Sequence, residues 1–498
     1  MFGKILIANR GEIAVRVMKT CNEMDIPTVA VYSDADKDAL HTLSADESFY
    51  LGASEPSESY LNIGKILTAA KQTNADAIHP GYGFLAENAD FARECNRRGI
   101  TFIGPPPDVI SSLGDKTTAR KIMREGRVPV IPGTTDAAKD LESIINEGDA
   151  IGWPVLIKAS AGGGGKGMRI VPSREAMEDA FIAASREAAS AFGDDSIYLE
   201  KLITRARHVE FQILCDSFGN AIHLLERECS IQRRHQKIIE ETPSVSLTPE
   251  LRDRMGSAAV RAAKASGYVN AGTVEFLLEP DGNFYFLEIN TRLQVEHPIT
   301  EMITGIDLVK KQIEIAAGMP LSIKQPDIAG KGHAIECRVY GEDPEHSFFP
   351  SAGKIQFLKE PTGPGIRCDS GVCTGFTVPV EYDPILAKLT AHAETRQDAI
   401  NRMVKALSGF PVLGIKTNIH FLMDILTSGS FHSGQTYTDV IESEFSDWSP
   451  EKGRSETDER TALLAFIADD LLPKHQMAAS TEDKPPEPWQ TLGNWRIS

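Results

Sequence analysis

The run Lys158-Ala-Ser-Ala-Gly162-Gly163-Gly164-Gly165-Lys166-Gly167 carries the sharpest chemical pattern in the chain. Consecutive glycines let backbone N–H groups close on an anion, in conformations that other residues avoid. Lys158 and Lys166 would add positive charge against phosphate oxygens. Gly167 rather than Ser or Thr follows Lys166, so the run is not a P-loop. The bland alternative is a hairpin tip, but four glycines before a lysine are costly for a mere turn.

A second pattern is Gly272-Thr-Val-Glu275-Phe-Leu-Leu-Glu-Pro-Asp281-Gly282-Asn-Phe-Tyr-Phe-Leu-Glu288-Ile-Asn290. It alternates in character about an Asp-Gly turn, which predicts a hairpin. A turn centred between Asp281 and Gly282 sets Glu275 directly opposite Glu288. Like charges so placed repel unless a cation lies between them, and carboxylates completed by phosphate oxygens suit magnesium. Asn290 falls on the same face. A register slip would instead leave two edge glutamates in solvent.

Arg292, Gln294 and Glu296 follow at alternate positions. On an extended segment they share one face, offering an anion fork, an amide and a base; a surface ion pair of Arg292 with Glu296 is the alternative. The run from Glu226 to Glu241, with Gln232, Arg233, Arg234, His235 and Lys237, reads as a phosphate-handling loop or a solvated charged face. His208 reads equally as a core, surface or ligand-facing histidine.

The elements that must carry these groups change in texture along the chain. Strand-like residues 4–8, a helical period at Ala14, Val17, Met18 and Cys21, and a strand over 28–32 predict a right-handed parallel crossover. Strands near 77–79 and 101–104 extend it into an α/β domain over 1–115. Residues 116–330 predict a mixed α+β domain, with the glycine run between short strands. Residues 331–446 are rich in short strands, and 447–498 form a linker, one helix near 460–472 and a polar, proline-bearing stretch that reads as a docking element.

Composition narrows the function. A formal net charge of −18 argues against a nucleic-acid or anionic-membrane binder. No stretch is long enough to span a bilayer, and the start lacks a signal-peptide core. The seven cysteines form no CxxC pair, which fits reduced thiols in a cytoplasmic enzyme.

Together these residues resemble the biotin carboxylase family of the ATP-grasp ligases. The pieces are Lys4-Ile-Leu-Ile-Ala-Asn-Arg-Gly-Glu-Ile-Ala, His79-Pro-Gly-Tyr82-Gly-Phe-Leu-Ala-Glu-Asn, Gly162 to Gly167, Glu288 to His297, Cys337-Arg338-Val-Tyr-Gly-Glu-Asp-Pro and Tyr382-Asp-Pro. The resemblance covers about 445 residues. It implies a Rossmann-like pre-ATP-grasp domain, an ATP-grasp domain with a lid over about 131–203, and a β-rich C-terminal domain. ATP would lie among Lys116, Lys158, the glycine run, Glu200, Lys201, Ile203, His208, Gln232, His235 and Leu277. Glu275 and Glu288, with Asn290 nearby, would hold magnesium, with manganese as a substitute. Glu296 would deprotonate bicarbonate, held by Lys237, Arg292, Gln294 and the Val295 backbone. Arg338, with Tyr82, would face the ureido group of biotin.

Fused family members carry a biotinyl domain with Ala-Met-Lys-Met. Here the only Met-Lys is Met18-Lys19 in the first helix. The resemblance therefore implies biotin supplied on a separate carboxyl carrier protein, separate carboxyltransferase subunits and a homodimer with Arg16 and Glu23 near its interface. It points to acetyl-CoA carboxylase as the first reading, with a pyruvate or propionyl-CoA system as the alternative. Rivals are another ATP-grasp ligase or a silent nucleotide-binding subunit.

Overall fold

The computed structural model describes residues 1–134, 140–159, 168–450 and Leu464, with backbone alone at 191 and 192. The chain divides into units Met1–Trp448 and Ser449–Ser498. The helix expected near 460–472 and the docking stretch lie outside the described residues, apart from a helical Leu464.

At the N-terminus β1 (Ile5–Ile7), β2 (Thr28–Ser33), β3 (Glu47–Gly52), β4 (Ala77–His79) and β5 (Thr101–Phe102) form a parallel sheet in the order β3-β2-β1-β4-β5. Its central strand is apolar at every position because both faces are covered. Ile5 and Ile7 join one core while Leu6 and Ala8 join another. The helix Gly11–Glu23 buries Ala14, Val17, Met18 and Cys21, as their spacing predicts. Its Arg16, expected near an interface, is held within the chain by ion pairs. Arg16 is 6% exposed and pairs with Glu301 and Asp307 at 3.0 Å, while Glu23 stays exposed.

A small antiparallel sheet follows, made of β6 (Val155–Ala159), β7 (Arg169–Val171) and β8 (Ile197–Lys201) in the order β7-β6-β8. It packs against the helix Met177–Phe192 around its own core of Ile144, Val155, Ile157, Met177, Ala184 and Leu199. A satellite core is what a segment able to move as a unit requires.

The largest sheet is antiparallel throughout and holds eight strands. It begins β13 (Phe284–Asn290), β12 (Asn270–Leu278), β9 (Arg207–Cys215), β10 (Ala221–Arg233), β11 (Gln236–Thr242) and β14 (His333–Tyr340), and ends with Ile385–Ala393 and Ile366–Ser370. β11 pairs with β14 through Ile239 opposite Cys337 and Glu240 opposite Glu336. The sheet thus runs unbroken across residue 330, where the sequence places a domain limit. Residues from both sides of that limit sit on one rigid surface, and the polar site is built there.

Candidate active site

The hairpin of β12 and β13 places Glu275 opposite Glu288, but by a route the sequence does not show. Near the turn, Leu278 faces Phe284 and Phe276 faces Phe286, one residue off the expected register. A bulge between Glu275 and Phe276 on one strand and the facing residues on the other then restores it. Asn290 donates to Glu275 Oε1 at 2.8 Å, and Gln294 donates to the same oxygen at 3.2 Å. The two carboxyls are in different states. Burial opposes ionisation of Glu275, but Lys237 and His208 outweigh it and hold its pKa far below the usual range. Glu288 is open to solvent along one side; desolvation by the surrounding cleft, then the charge of Glu275, raises its pKa. One engaged and one open carboxylate, with an amide beside them, is an oxygen donor set that fits magnesium completed by phosphate.

Lys237 is the centre of the buried part. Its Nζ donates to Glu210 at 2.5 Å, Glu275 at 2.7 Å and Glu296 at 2.8 Å. Glu296 is fully buried, and its second oxygen accepts from Arg338 Nη2 at 2.9 Å. Burial would raise Glu296, but Lys237, Arg338 and Arg227 together hold it well below the ordinary carboxylate value. Beneath them Arg227, with no exposed surface, donates to Glu210, Gln212, Thr300 and Thr273 at 2.5–3.0 Å. A buried guanidinium is tolerable only with its donors occupied in this way.

Residues 291–296 are not extended, contrary to the expected alternation; they turn into the helix His297–Thr304. Arg292 does not pair with Glu296. It donates to Glu87 at 2.8 Å, Gln294 at 3.0 Å and Asn290 at 3.1 Å, and Glu87 also accepts from the Thr291 N–H at 3.0 Å. The Val295 carbonyl accepts from Lys388 Nζ at 3.0 Å, and the same ammonium lies 3.1 Å from Glu12 and 5.8 Å from the centre of the Tyr82 ring. The Tyr82 hydroxyl is buried without a hydrogen-bond partner, a polar group aimed at nothing the described residues supply.

The groups expected to bind nucleotide are spread over the helix Lys116–Glu125, the small sheet and the large sheet. Lys158 pairs with Glu200 at 2.5 Å, and Arg120 bonds the other oxygen of Glu200. Lys116 has its pKa lowered by burial and then by the like charge of Lys158, with Glu288 and Glu200 acting the other way. His208 Nε2 lies 2.8 Å from Glu275 Oε2, and Leu277 is its register partner on β12. Gln232 is buried on β10, His235 is exposed at the following turn, Ile203 is half-buried, and Lys201 lies 3.7 Å from Glu279. Gly163, Gly164, Gly165 and Lys166 lie outside the described residues. The charged run 226–241 is not a loop: it forms two paired strands joined by a turn at Arg234 and His235. Glu226, Arg227, Glu228, Glu240 and Glu241 are all buried within it.

Sequence reasoning missed Glu87, Arg120, Glu210, Arg227, Glu240 and Lys388. Lys388 had a visible signal: it is the one lysine or arginine in the mostly apolar strand Ile385–Ala393, and a buried charge there must be paired. Glu87 had none, since its partner Arg292 is 205 residues away.

A facing carboxylate pair on a hairpin, a small separate sheet carrying Lys158 and Glu200, and a buried carboxylate held by two cations are the features of an ATP-grasp ligase. Three family models match in succession: the biotin carboxylase N-terminal domain at residues 1–110, the carbamoyl-phosphate synthase L chain ATP-binding domain at 115–324, and the biotin carboxylase C-terminal domain at 336–443. A pyruvate carboxylase subunit of Methanothermobacter thermautotrophicus is 51% identical over 479 residues, 96% of this chain and 97% of that protein. Biotin carboxylase 1 of Bacillus subtilis is 51% identical over 443 residues, 89% of this chain and 98% of that protein. The crystal structure of the Campylobacter jejuni biotin carboxylase complex superposes with a TM-score of 0.86 at 45% identity, covering 89% of this chain and 99% of that one. The chain belongs to the biotin carboxylase family, and it is an ATP-dependent carboxylase ligase.

Proposed function

We propose that the chain carboxylates biotin carried by a separate protein, through carboxyphosphate, with Glu296 as the base. The observation that carries this reading is the fully buried Glu296 with Lys237 on one oxygen and Arg338 on the other, joined through Lys237 to Glu275. The biotin carboxylase domain of a Hydrogenobacter thermophilus 2-oxoglutarate carboxylase, 47% identical with a TM-score of 0.85, binds MgADP, ADP and bicarbonate, which supports the same ligands here. Magnesium would be held by Glu275 and Glu288 with Asn290 nearby, and would neutralise phosphate charge. Lys116, Lys158, His208 and the glycine run position the phosphates.

Bicarbonate enters as an anion among Lys237, Arg292, Gln294 and the Val295 backbone. By taking hydrogen bonds from Lys237 it frees Glu296 from part of the charge that makes it a weak base. Bicarbonate gives its proton to Glu296 while its oxygen attacks the γ-phosphorus, and ADP leaves. Carboxyphosphate then splits into carbon dioxide and phosphate. The phosphate takes the ureido N–H proton, and the resulting nitrogen attacks carbon dioxide while Arg338 and Tyr82 face the ureido oxygen. Closure of the segment over 131–203 would keep water from the intermediate.

The division into 1–115, 116–330, 331–446 and a tail, cytoplasmic location and homodimer belong to the same reading. Among the described residues no helix is long and apolar enough to cross a membrane, and a dimeric neighbour supports the homodimer. Carrier protein and carboxyltransferase are the partners. Acetyl-CoA is the first acceptor the sequence suggests. A second reading, pyruvate or an acyl-CoA such as propionyl-CoA, is favoured by the tail. The matches to the pyruvate carboxylase subunit of Methanothermobacter thermautotrophicus and to the Ruegeria pomeroyi propionyl-CoA carboxylase alpha chain cover 96% and 94% of the chain, against 89% for both Bacillus subtilis biotin carboxylases.

The test is phosphate release from the purified chain with Mg-ATP and bicarbonate, with and without free biotin. Release that requires bicarbonate and rises with biotin, with labelled carboxybiotin formed, is expected. Release indifferent to biotin would overturn the reading in favour of another ATP-grasp substrate.

A further inference from the structure

Arg338 is gripped twice. Its Nε donates to Glu240 at 2.6 Å and its Nη2 to Glu296 at 2.9 Å. In the proposed cycle these two carboxylates fare differently. Glu296 receives a proton from bicarbonate and, once neutral, no longer attracts the guanidinium as an ion. A long side chain held at one end by a partner that changes charge would swing with it. Glu240 prevents that. It is fully buried, its backbone is locked in register with Glu336 of β14, and it binds Nε at the root of the fork.

We propose that Glu240 is a positioning residue that anchors Arg338 toward the ureido group through the step in which Glu296 is protonated. This rests on the roles given above to Glu296 and Arg338. The geometry has a second consequence. Burial raises the Glu240 carboxyl to about 7, with Arg338 acting against it and Glu296 with it. Its other charged or titratable neighbours are Glu336, Cys337 and Tyr340 on β14, Lys237 on its own strand and Cys229 on β10. Its second oxygen, Oε2, is buried without a hydrogen-bond partner, so it is free to carry the proton. Sign follows directly: below that pH the anchor is neutral and its grip weakens, and above it the anchor is charged.

The experiment compares Glu240→Gln with the unmodified chain and with Arg338→Ala. Two rates are read at saturating Mg-ATP: bicarbonate-dependent phosphate release without biotin, and carboxybiotin formation across a range of free biotin. Glu240→Gln should raise KM for biotin and lower biotin turnover ~10–100-fold, while biotin-independent release falls by no more than about threefold. Equal losses in both rates, or none in either, would overturn the anchor. If Arg338→Ala itself fails to separate the two rates, the role of Arg338 falls, and the anchor with it. Should Glu240→Gln not fold, the unmodified chain still decides. Its KM for biotin should rise as pH is lowered through about 7, while biotin-independent release lacks that limb; a flat KM would overturn the proposal.

Discussion

On the hairpin of β12 and β13 Glu288 lies open to solvent opposite Glu275, with its charge disfavoured. On the other side of Lys237, Glu296 is fully buried and its charge strongly favoured. Both are glutamates beside other glutamates, so residue type does not explain the contrast. The difference is what completes each group. Glu296 has its cations hydrogen-bonded to it, on β11 and β14. Glu288 feels Lys116 and Lys237 only at a distance, too weakly to offset desolvation and the charge of Glu275. In the proposed function a bound cation would complete it. Buried charge is compensated by the fold, and cleft charge waits for ligand. A variant at either place should report which kind of compensation it removes.

The largest effect is expected at the buried group. Glu296→Gln should lower bicarbonate-dependent phosphate release ~10²–10⁴-fold, the range for a lost general base, with MgADP binding retained in a titration. Near-normal turnover would place the base elsewhere. Arg227→Met tests the support beneath it. Removing the cation leaves Glu210, buried beside Glu296 and Glu275, with Lys237 as its one remaining cation, and breaking a buried pair on one side costs up to ~3–5 kcal/mol. Urea unfolding followed by circular dichroism should show that loss; less than about 1 kcal/mol, the figure for an exposed pair, would mean the buried network contributes no more than a surface one.

The contrast also explains what could be read from sequence. Helical spacing and apolar strands gave the parallel sheet directly, because both depend on neighbours within a few residues. The facing of Glu275 and Glu288 was legible through period-two parity, yet only because the shifted turn and the bulge cancel. Arg227 was hidden within a charge run that resembles a solvated face, since burial is set by strands and helices far along the chain. The same limit hid Glu87 and Glu240, whose partners Arg292 and Arg338 are 205 and 98 residues away. The residues expected to face ligand carried local patterns; of the residues that hold them, Lys388 alone carried one.

Lys388→Met lies between the extremes. The substitution removes the ammonium that joins Glu12 to the Val295 carbonyl, but Glu12 can neutralise itself. Burial, opposed by Lys388, has already raised its pKa to about 7. The cost should therefore be nearer ~1–3 kcal/mol, that of an unsatisfied polar group, than the full penalty of an unpaired charge. The site should feel it through the Val295–Glu296 turn, as a KM for bicarbonate raised ~10-fold with nucleotide binding unaffected. A stability loss as large as that of Arg227→Met would show that Glu12 stays ionised and alone.

The smallest effect, and the one with a change of sign, belongs to Glu288→Gln. Without magnesium the variant removes a like charge facing Glu275 across the hairpin, a repulsion of ~0.2–1 kcal/mol. It should melt at or slightly above the temperature of the unmodified chain. With magnesium and ADP present the order should reverse. A ligand stabilises the state that binds it in proportion to the logarithm of its concentration over Kd, and the variant has lost the open carboxylate. Thermal melts at rising magnesium and fixed ADP should therefore cross. Parallel curves would mean that Glu288 is an ordinary exposed glutamate, and that the cleft and the buried network are compensated alike.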